Sequence, residues 1–355
     1  MTTVRKKQLM AFAVVAVFAM TCLSAALITS DETDADTSFT ITDYVKGERT
    51  FSEPAQNVVT IGKAFTITTI SLGQIEKLSA VDTSSKDDVQ ELSGKSILSY
   101  DTSMDGFINL RQGLDILVAQ GKWIKEKDMI ITYGYGFYEP RVSLLTEGGY
   151  TVVQFYPNDY DSTVAAIADI EKILGVPDSM KRSQNMIDVK ESVTNKIEGL
   201  SGEKVSAIYA GFSSTSLTIA NTGITDNLIT TAGGTNAGRD AGVTAASYAP
   251  GDGFFELKKA EGATVIFLDG NYNGSAEDFK DNYNVPDGYR ILKIDQSWNS
   301  YTPALADGLV ALYEFMYESD TSPTEGSDNS NMLYAALGVI AVIAVLAAIV
   351  IFRRQ

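Results

Sequence analysis

Apolar residues along this chain fall into two kinds of run. Two are long and unbroken: Gln8 to Ser30 and Met332 to Phe352 each pass without a charged residue. Between them the apolar runs are short, rich in β-branched residues and bounded by Gly, Asp or Asn. Such runs predict strands at 57–61 (NVVTI), 78–81, 129–132 (MIIT), 150–155 (YTVVQF), 205–209 (VSAIY), 264–268 (TVIFL) and 289–294. Helical spacing separates them, at 65–72, 110–120, 162–174, 221–232, 255–260 and 303–317. This alternation predicts an α/β fold with mostly parallel sheets, whose ligand site lies at the strand ends.

One segment departs from the alternation. Residues 178–200 read as a long polar helix with a sparse apolar stripe at Met186, Val189, Val193 and Ile197, entered at Pro177-Asp178 and stopped at Gly199. About 20 residues span ~30 Å, which suits a rigid strut between two lobes. The expected organisation is a leader or anchor at 1–30, a first lobe at 39–177, the strut at 178–200 and a second lobe at 201–318. A polar stalk at 319–331 and a transmembrane helix at 332–352 follow.

The two long runs decide the compartment. The second, MLYAALGVIAVIAVLAAIVIF, has 21 residues, enough to cross the ~30 Å hydrocarbon core. Arg353 and Arg354 follow it, and no positive charge occurs between Lys293 and Arg353, so its tail faces inward and the folded part outward. The first run, behind Arg5, Lys6 and Lys7, reads as a signal peptide with small residues at Ser24 and Ala26, or as a second anchor. Cys22 is preceded by Ala19-Met20-Thr21, which is not a lipidation signal.

Composition narrows the chemistry. The chain of 355 residues has no histidine and one cysteine, so a Ser-His-Asp triad, a His-ligated zinc or haem and an intrachain disulfide are excluded. Catalysis would rest on carboxylates, Lys, Ser/Thr or Tyr, which favours a binding role and no resident cofactor. Segment 31–330 holds all 45 acidic residues and 23 of the 28 basic ones, a net charge of −22. That charge argues against nucleic-acid partners and suits a salt-adapted surface protein, as in archaea. Asn273-Gly274-Ser275 is a glycosylation sequon. The pair Gly134 and Gly136 lacks the third glycine of a dinucleotide loop.

The stretch ITDYVKGERTFSEPAQNVVTIGKAFTITTISLGQIEKLSAVDTSS (41–85) resembles the opening of the cobalamin and ferric-siderophore substrate-binding proteins of ABC importers. The resemblance continues through IITYGYGFYEPRVSLLTEGGYTVVQF (130–155), IEKILGV (170–176), NLITTAGGTNAG (227–238) and FFELKKAEGATVIFLDG (254–270), in that family's order. It covers 39–318 and implies two Rossmann-like lobes joined by one long rigid helix. It also implies a metal chelate held between the lobes, and ABC permease and ATPase subunits as partners. Glu139 and Glu256 match the family's permease-docking carboxylates.

Strand-end residues supply the candidate ligand contacts. In the first lobe these are Lys63, Tyr100, Tyr133 and Tyr135; in the second, Tyr209, Arg239, Tyr248, Trp298 and Tyr301. Their rings would stack on a corrin, porphyrin or catecholate, and the cations would pair with an anionic chelate. Two other readings stay open. A surface hydrolase would use paired carboxylates such as Asp101 with Asp105 or Asp269 with Glu277; an adhesive surface protein would need no ligand.

Overall fold

The computed structural model describes residues 37–318 apart from 214–215, 240–242 and 244. The expected leader, stalk and transmembrane helix 332–352 lie outside the described residues. Among the described residues no helix is long and apolar enough to cross a membrane. The chain divides into two compact units. One runs to Tyr156 and takes in Ala168–Met180; the other comprises Pro157–Ile167 and the chain from Lys181 onward.

The first unit begins with an antiparallel pair, β1 (Phe39–Asp43) and β2 (Gly47–Phe51). Asp43 closes the turn by accepting from the Val45 and Lys46 amides, and Gly47 supplies the positive φ of 73°. Five strands follow: β3 (Val58–Thr60), β4 (Leu78–Asp82), β5 (Leu98–Tyr100), β6 (Met129–Tyr133) and β7 (Thr151–Phe155). They form a sheet in the order β5-β4-β3-β6-β7, parallel throughout. Its inner strands are buried on both faces, which is why VVT and MIIT are unbroken apolar runs. The connecting helices are α1 (Lys63–Ser71), α2 (Thr83–Asp88), α3 (Met104–Ala119) and α4 (Glu139–Glu147). Phe107, Leu114, Trp123, Ile130 and Val152 form part of the core.

The β1–β2 pair is fastened to the edge strand β7. The Tyr44 amide donates to the Gln154 carbonyl at 2.7 Å, Arg49 donates to the Val152 carbonyl, and the Gln154 amide donates to Asp43 at 3.3 Å. Further along β1, the Thr42 amide donates to Asp169 and Lys172 donates to the Thr40 carbonyl. The exposed edge of the sheet is thereby covered.

The second unit is built differently. Its strands are β8 (Ser206–Ser213), β9 (Ser216–Ala220), β10 (Thr235–Asn236), β11 (Ser247–Tyr248), β12 (Ala263–Leu268) and β13 (Arg290–Lys293). They pair in the order β11-β9-β8-β12-β13, with β10 beside β8. The β8/β12, β12/β13 and β10/β8 pairs are parallel; β8/β9 and β9/β11 are antiparallel. The expectation of a mostly parallel sheet therefore describes the first unit, and the second sheet is mixed. Only two residues separate β8 from β9, and so short a link joins strands only as a hairpin.

The strut is also relocated. Residues 183–198 form α6 (Ser183–Glu198), which belongs wholly to the second unit and buries Met186 and Val193 in its core beside Leu309 and Leu312. Those two leucines lie on α10 (Leu305–Tyr317). A narrow stripe on a polar helix is what one packed face requires, so the sparseness read as bridging reflects ordinary amphipathic packing. The helix divided between the units is α5 (Tyr160–Leu174): Ile167 falls in the second and Ala168 in the first. The Tyr160 hydroxyl donates to the Met186 carbonyl, while Asp169 holds β1. The remaining helices are α7 (Ile224–Thr231), α8 (Phe254–Ala260) and α9 (Ala276–Asn282).

Candidate ligand-binding site

In the first unit, the chain leaves β3 toward β4 and β5 on one side, and β6 toward β7 on the other. Ligands in open parallel sheets settle outside the carboxyl ends of such a strand pair. From β3 this point receives Gly62 and Lys63; from β6 it receives Tyr133 to Tyr138. Gly62 has φ of 115°, and a Cβ there would stand 2.3 Å from the Tyr133 ring, so only glycine allows the ring to lie on the backbone. Its amide donates to Asp82 at 2.9 Å. Asp82 is buried and also accepts from the Ser85 amide and the Ser84 and Ser85 hydroxyls, which fixes the loop under Tyr133.

A row of aromatic rings starts there. Phe65 lies 4.5 Å from Tyr133, Tyr133 stacks on Tyr135 at 4.9 Å, Tyr135 meets Tyr156 edge-on at 4.9 Å, and Tyr156 stacks on Tyr44 at 4.8 Å. All lie within the preferred range for aromatic pairs. Phe65 is buried and Tyr133 and Tyr135 are half-buried, while Tyr156 is 37% and Tyr44 56% exposed. Gly134 admits the Tyr44 ring as Gly62 admits Tyr133: a Cβ would stand 2.4 Å away.

The other first-lobe candidates are placed otherwise. Lys63 is exposed and ion-paired to Asp88 at 3.1 Å. Tyr100 lies in the core with its hydroxyl donated to the Thr60 carbonyl at 3.2 Å, and burial, then Asp82, pushes its pKa well up. Tyr100 is thus a core residue and not a lining one. Its short strand faces α3, whose Phe107 ring meets it edge-on at 6.1 Å.

In the second unit the rings of β8 turn inward. Tyr209 is buried; its hydroxyl donates to Asp269 at 3.3 Å and accepts from Asn299 at 2.7 Å, and burial, followed by Asp269, pushes its pKa well up. Asp269 also accepts from the Phe212 and Asn271 amides. Phe212 packs on Tyr272, Phe279 and Tyr283. Tyr209 is therefore a second correction, a core residue in a polar network. Arg239 is paired with Asp226, which also accepts from Asn236. Tyr248 donates to the Gly238 carbonyl beside Arg239, so these two candidates are neighbours. Trp298 is half-buried over Gly308, where a Cβ would meet it at 2.7 Å, and Tyr301 is half-buried in the same loop.

Glu139 is the exposed first residue of α4 and Glu256 is exposed in the first turn of α8, where helix amides favour a carboxylate. Three carboxylates of the hydrolase reading are engaged locally. Asp101 is held below its usual pKa by the Ser103 hydroxyl and amide, Asp269 serves the Tyr209 network, and Glu277 faces Lys280 at 3.4 Å. Among the described residues no group of three His, Cys, Asp or Glu is placed to hold a metal ion. A groove of about 460 Å³ runs between α5 and α6, crossed by the Lys190–Asp161 ion pair; none of the expected site residues lines it.

Sequence reasoning missed Tyr44 and Tyr156. Their signal was their position, one in the turn after a two-residue-period strand and one directly after the β7 run.

No family model matches the chain, and no curated protein matches it. Solved structures do. A periplasmic solute-binding protein from Veillonella parvula aligns with TM-score 0.60 at 15% identity, over 80% of this chain and 88% of its own. A periplasmic haem-binding protein from Pseudomonas aeruginosa aligns with TM-score 0.53 at 20% identity, over 76% and 95%. An ABC transporter substrate-binding protein from Listeria monocytogenes aligns with TM-score 0.51 at 13% identity, over 75% and 100%. The described chain has the fold that these solute-binding proteins share.

Proposed function

We propose that this chain is the substrate-binding protein of an ABC importer, a binder and not an enzyme, which captures a metal chelate and delivers it to its permease. Ferric siderophores, cobalamin and haem-like molecules are the candidate cargo. The observation that carries the reading is the row of half-buried and exposed rings at the carboxyl end of a parallel sheet, on a fold shared with solute-binding proteins. Histidine is absent and no group of three His, Cys, Asp or Glu is placed to hold a metal among the described residues, while the rings favour recognition of a chelator. The segment 332–352 serves as the membrane anchor with the folded part outside, and Glu139 and Glu256 meet arginines of the permease through charge-assisted hydrogen bonds.

The test uses the full chain in detergent, titrated with haemin, cobalamin and ferric chelates while Trp123 and Trp298 fluorescence is followed. Saturable one-to-one binding of one class is expected, and flat titrations with all of them would overturn the reading. Replacing Glu139 and Glu256 together by Ala should leave that affinity unchanged and abolish stimulation of the transporter's ATPase; a loss of affinity would remove both residues from the docking role.

A further inference from the structure

We infer that the β1–β2 turn forms a wall of the ligand site, its Tyr44 and Tyr156 rings taking a flat aromatic ring of the cargo. The cargo is then a chelate with aromatic rings on its periphery rather than an aliphatic hydroxamate. This inference rests on the proposed binding function and names the chemistry of the same site.

Three observations lead here. First, the ring row is continuous from the buried Phe65 to the exposed Tyr44, every neighbouring pair lying within 4.9 Å, so the apolar surface extends outward rather than ending at Tyr133. Val45, next in the chain, is 60% exposed. Large apolar side chains grouped on a surface mark a place where something else covers them.

Second, the outer rings are held in place. Asp43 is buried and gathers four donors: the Val45, Lys46 and Gln154 amides and the Arg49 guanidinium. Tyr44 itself is tied through its amide to β7 and lies against Gly134, where a Cβ would prevent the approach. A side chain ordered in advance loses little conformational freedom on binding, which is the condition for tight stacking.

Third, no group of three His, Cys, Asp or Glu is placed to hold a metal among the described residues, and what the site offers a ligand is ring faces, which suit an organic group. A porphyrin and a catecholate share the planar ring that such a wall recognises. Aliphatic hydroxamates offer no ring face, so they forgo the stacking term.

The experiment uses the full chain in detergent with three probes: haemin, ferric tris(2,3-dihydroxybenzoate) and ferrioxamine. Affinities are measured for the parent, Tyr44→Ala, Tyr156→Ala and Tyr44→Phe, with melting curves recorded for each. We expect haemin or the ferric catecholate to bind at least about tenfold more tightly than ferrioxamine. Tyr44→Ala and Tyr156→Ala should each weaken that aromatic probe by roughly tenfold, and Tyr44→Phe should keep parental affinity because it keeps the ring face. Haemin and catecholate arms separate the two sources of the ring. Ferrioxamine binding as tightly as the aromatic probes, or Tyr44→Ala binding them as the parent does, would overturn the wall and leave the transport reading standing. If cobalamin and all three probes fail to bind, the transport reading falls and the wall falls with it.

Discussion

Both units carry tyrosines on central strands, Tyr133 at the end of β6 and Tyr209 midway along β8, yet they use them in opposite ways. In the first, Tyr133 and Tyr135 stack outward toward Tyr156 and Tyr44 at the surface. In the second, Tyr209 sinks beneath Asn299 and hands its hydroxyl to a buried Asp269, while Phe212, Tyr272, Phe279 and Tyr283 close over one another. The difference follows from what each loop backbone permits. Gly62 and Gly134 let rings lie on the main chain at the surface, whereas Asp269 draws a phenol and two amides into the interior. Position on a central strand does not by itself make an aromatic a ligand contact; the groups packed around it decide.

The comparison breaks most sharply with Phe279→Ala. Phe279 is fully buried against Phe212, Phe255, Tyr272 and Tyr283. The substitution should cost about 3–5 kcal/mol by denaturant unfolding. If inward rings are structural, that loss is not compensated elsewhere; a cost under about 1 kcal/mol would show that the second-unit cluster is not a core.

Gly62→Ala is the next largest. With φ of 115° and the Tyr133 ring 2.3 Å from the new Cβ, backbone strain should cost about 1–3 kcal/mol. It should also displace Tyr133, so binding should weaken by more than the stability loss alone explains. Unchanged binding would mean that Tyr133 is not held for the ligand.

Tyr209→Phe gives the smallest effect and sharpens the contrast through pH. Losing one buried hydrogen bond should cost about 1 kcal/mol at pH 7. The folded phenol keeps its proton past the ordinary value near 10, so the unfolded chain loses its proton first and stability falls as pH rises through that value. Tyr209→Phe removes this contribution, and its disadvantage should shrink above about pH 10 in alkaline melting curves. A constant gap between parent and variant at all pH values would contradict the buried placement.

Much of the architecture is readable in the chain. The unbroken VVT and MIIT runs locate the first sheet, and the run at 264–268 locates β12, because buried parallel strands leave no polar alternation. The short strands Leu98–Tyr100 and Ser216–Ala220 were not apparent: one has two exposed residues of three, and in the other Ser216 and Thr218 at the less buried positions interrupt the apolar run. For the site, Tyr133 and Tyr135 stand out as aromatics in a glycine loop. Tyr100 and Tyr209 look the same in sequence, and only the packing of α3 and the carboxylate of Asp269 separates them from the surface rings. The polar helix at 183–198 misleads for a related reason: a stripe one residue wide says that a helix has a partner, not which unit supplies it.

The turn that presents Tyr44 draws its anchors from far along the polypeptide. Asp43 meets Gln154 across 111 positions, Thr42 meets Asp169 across 127, and Lys172 reaches Thr40 across 132. Contacts of such separation close late, because the loop entropy must be overcome before any contact forms. The outermost ring therefore reaches its place only after β7 has been synthesised and paired, and a nascent chain cut short of Asp169 would leave β1 without two of its moorings.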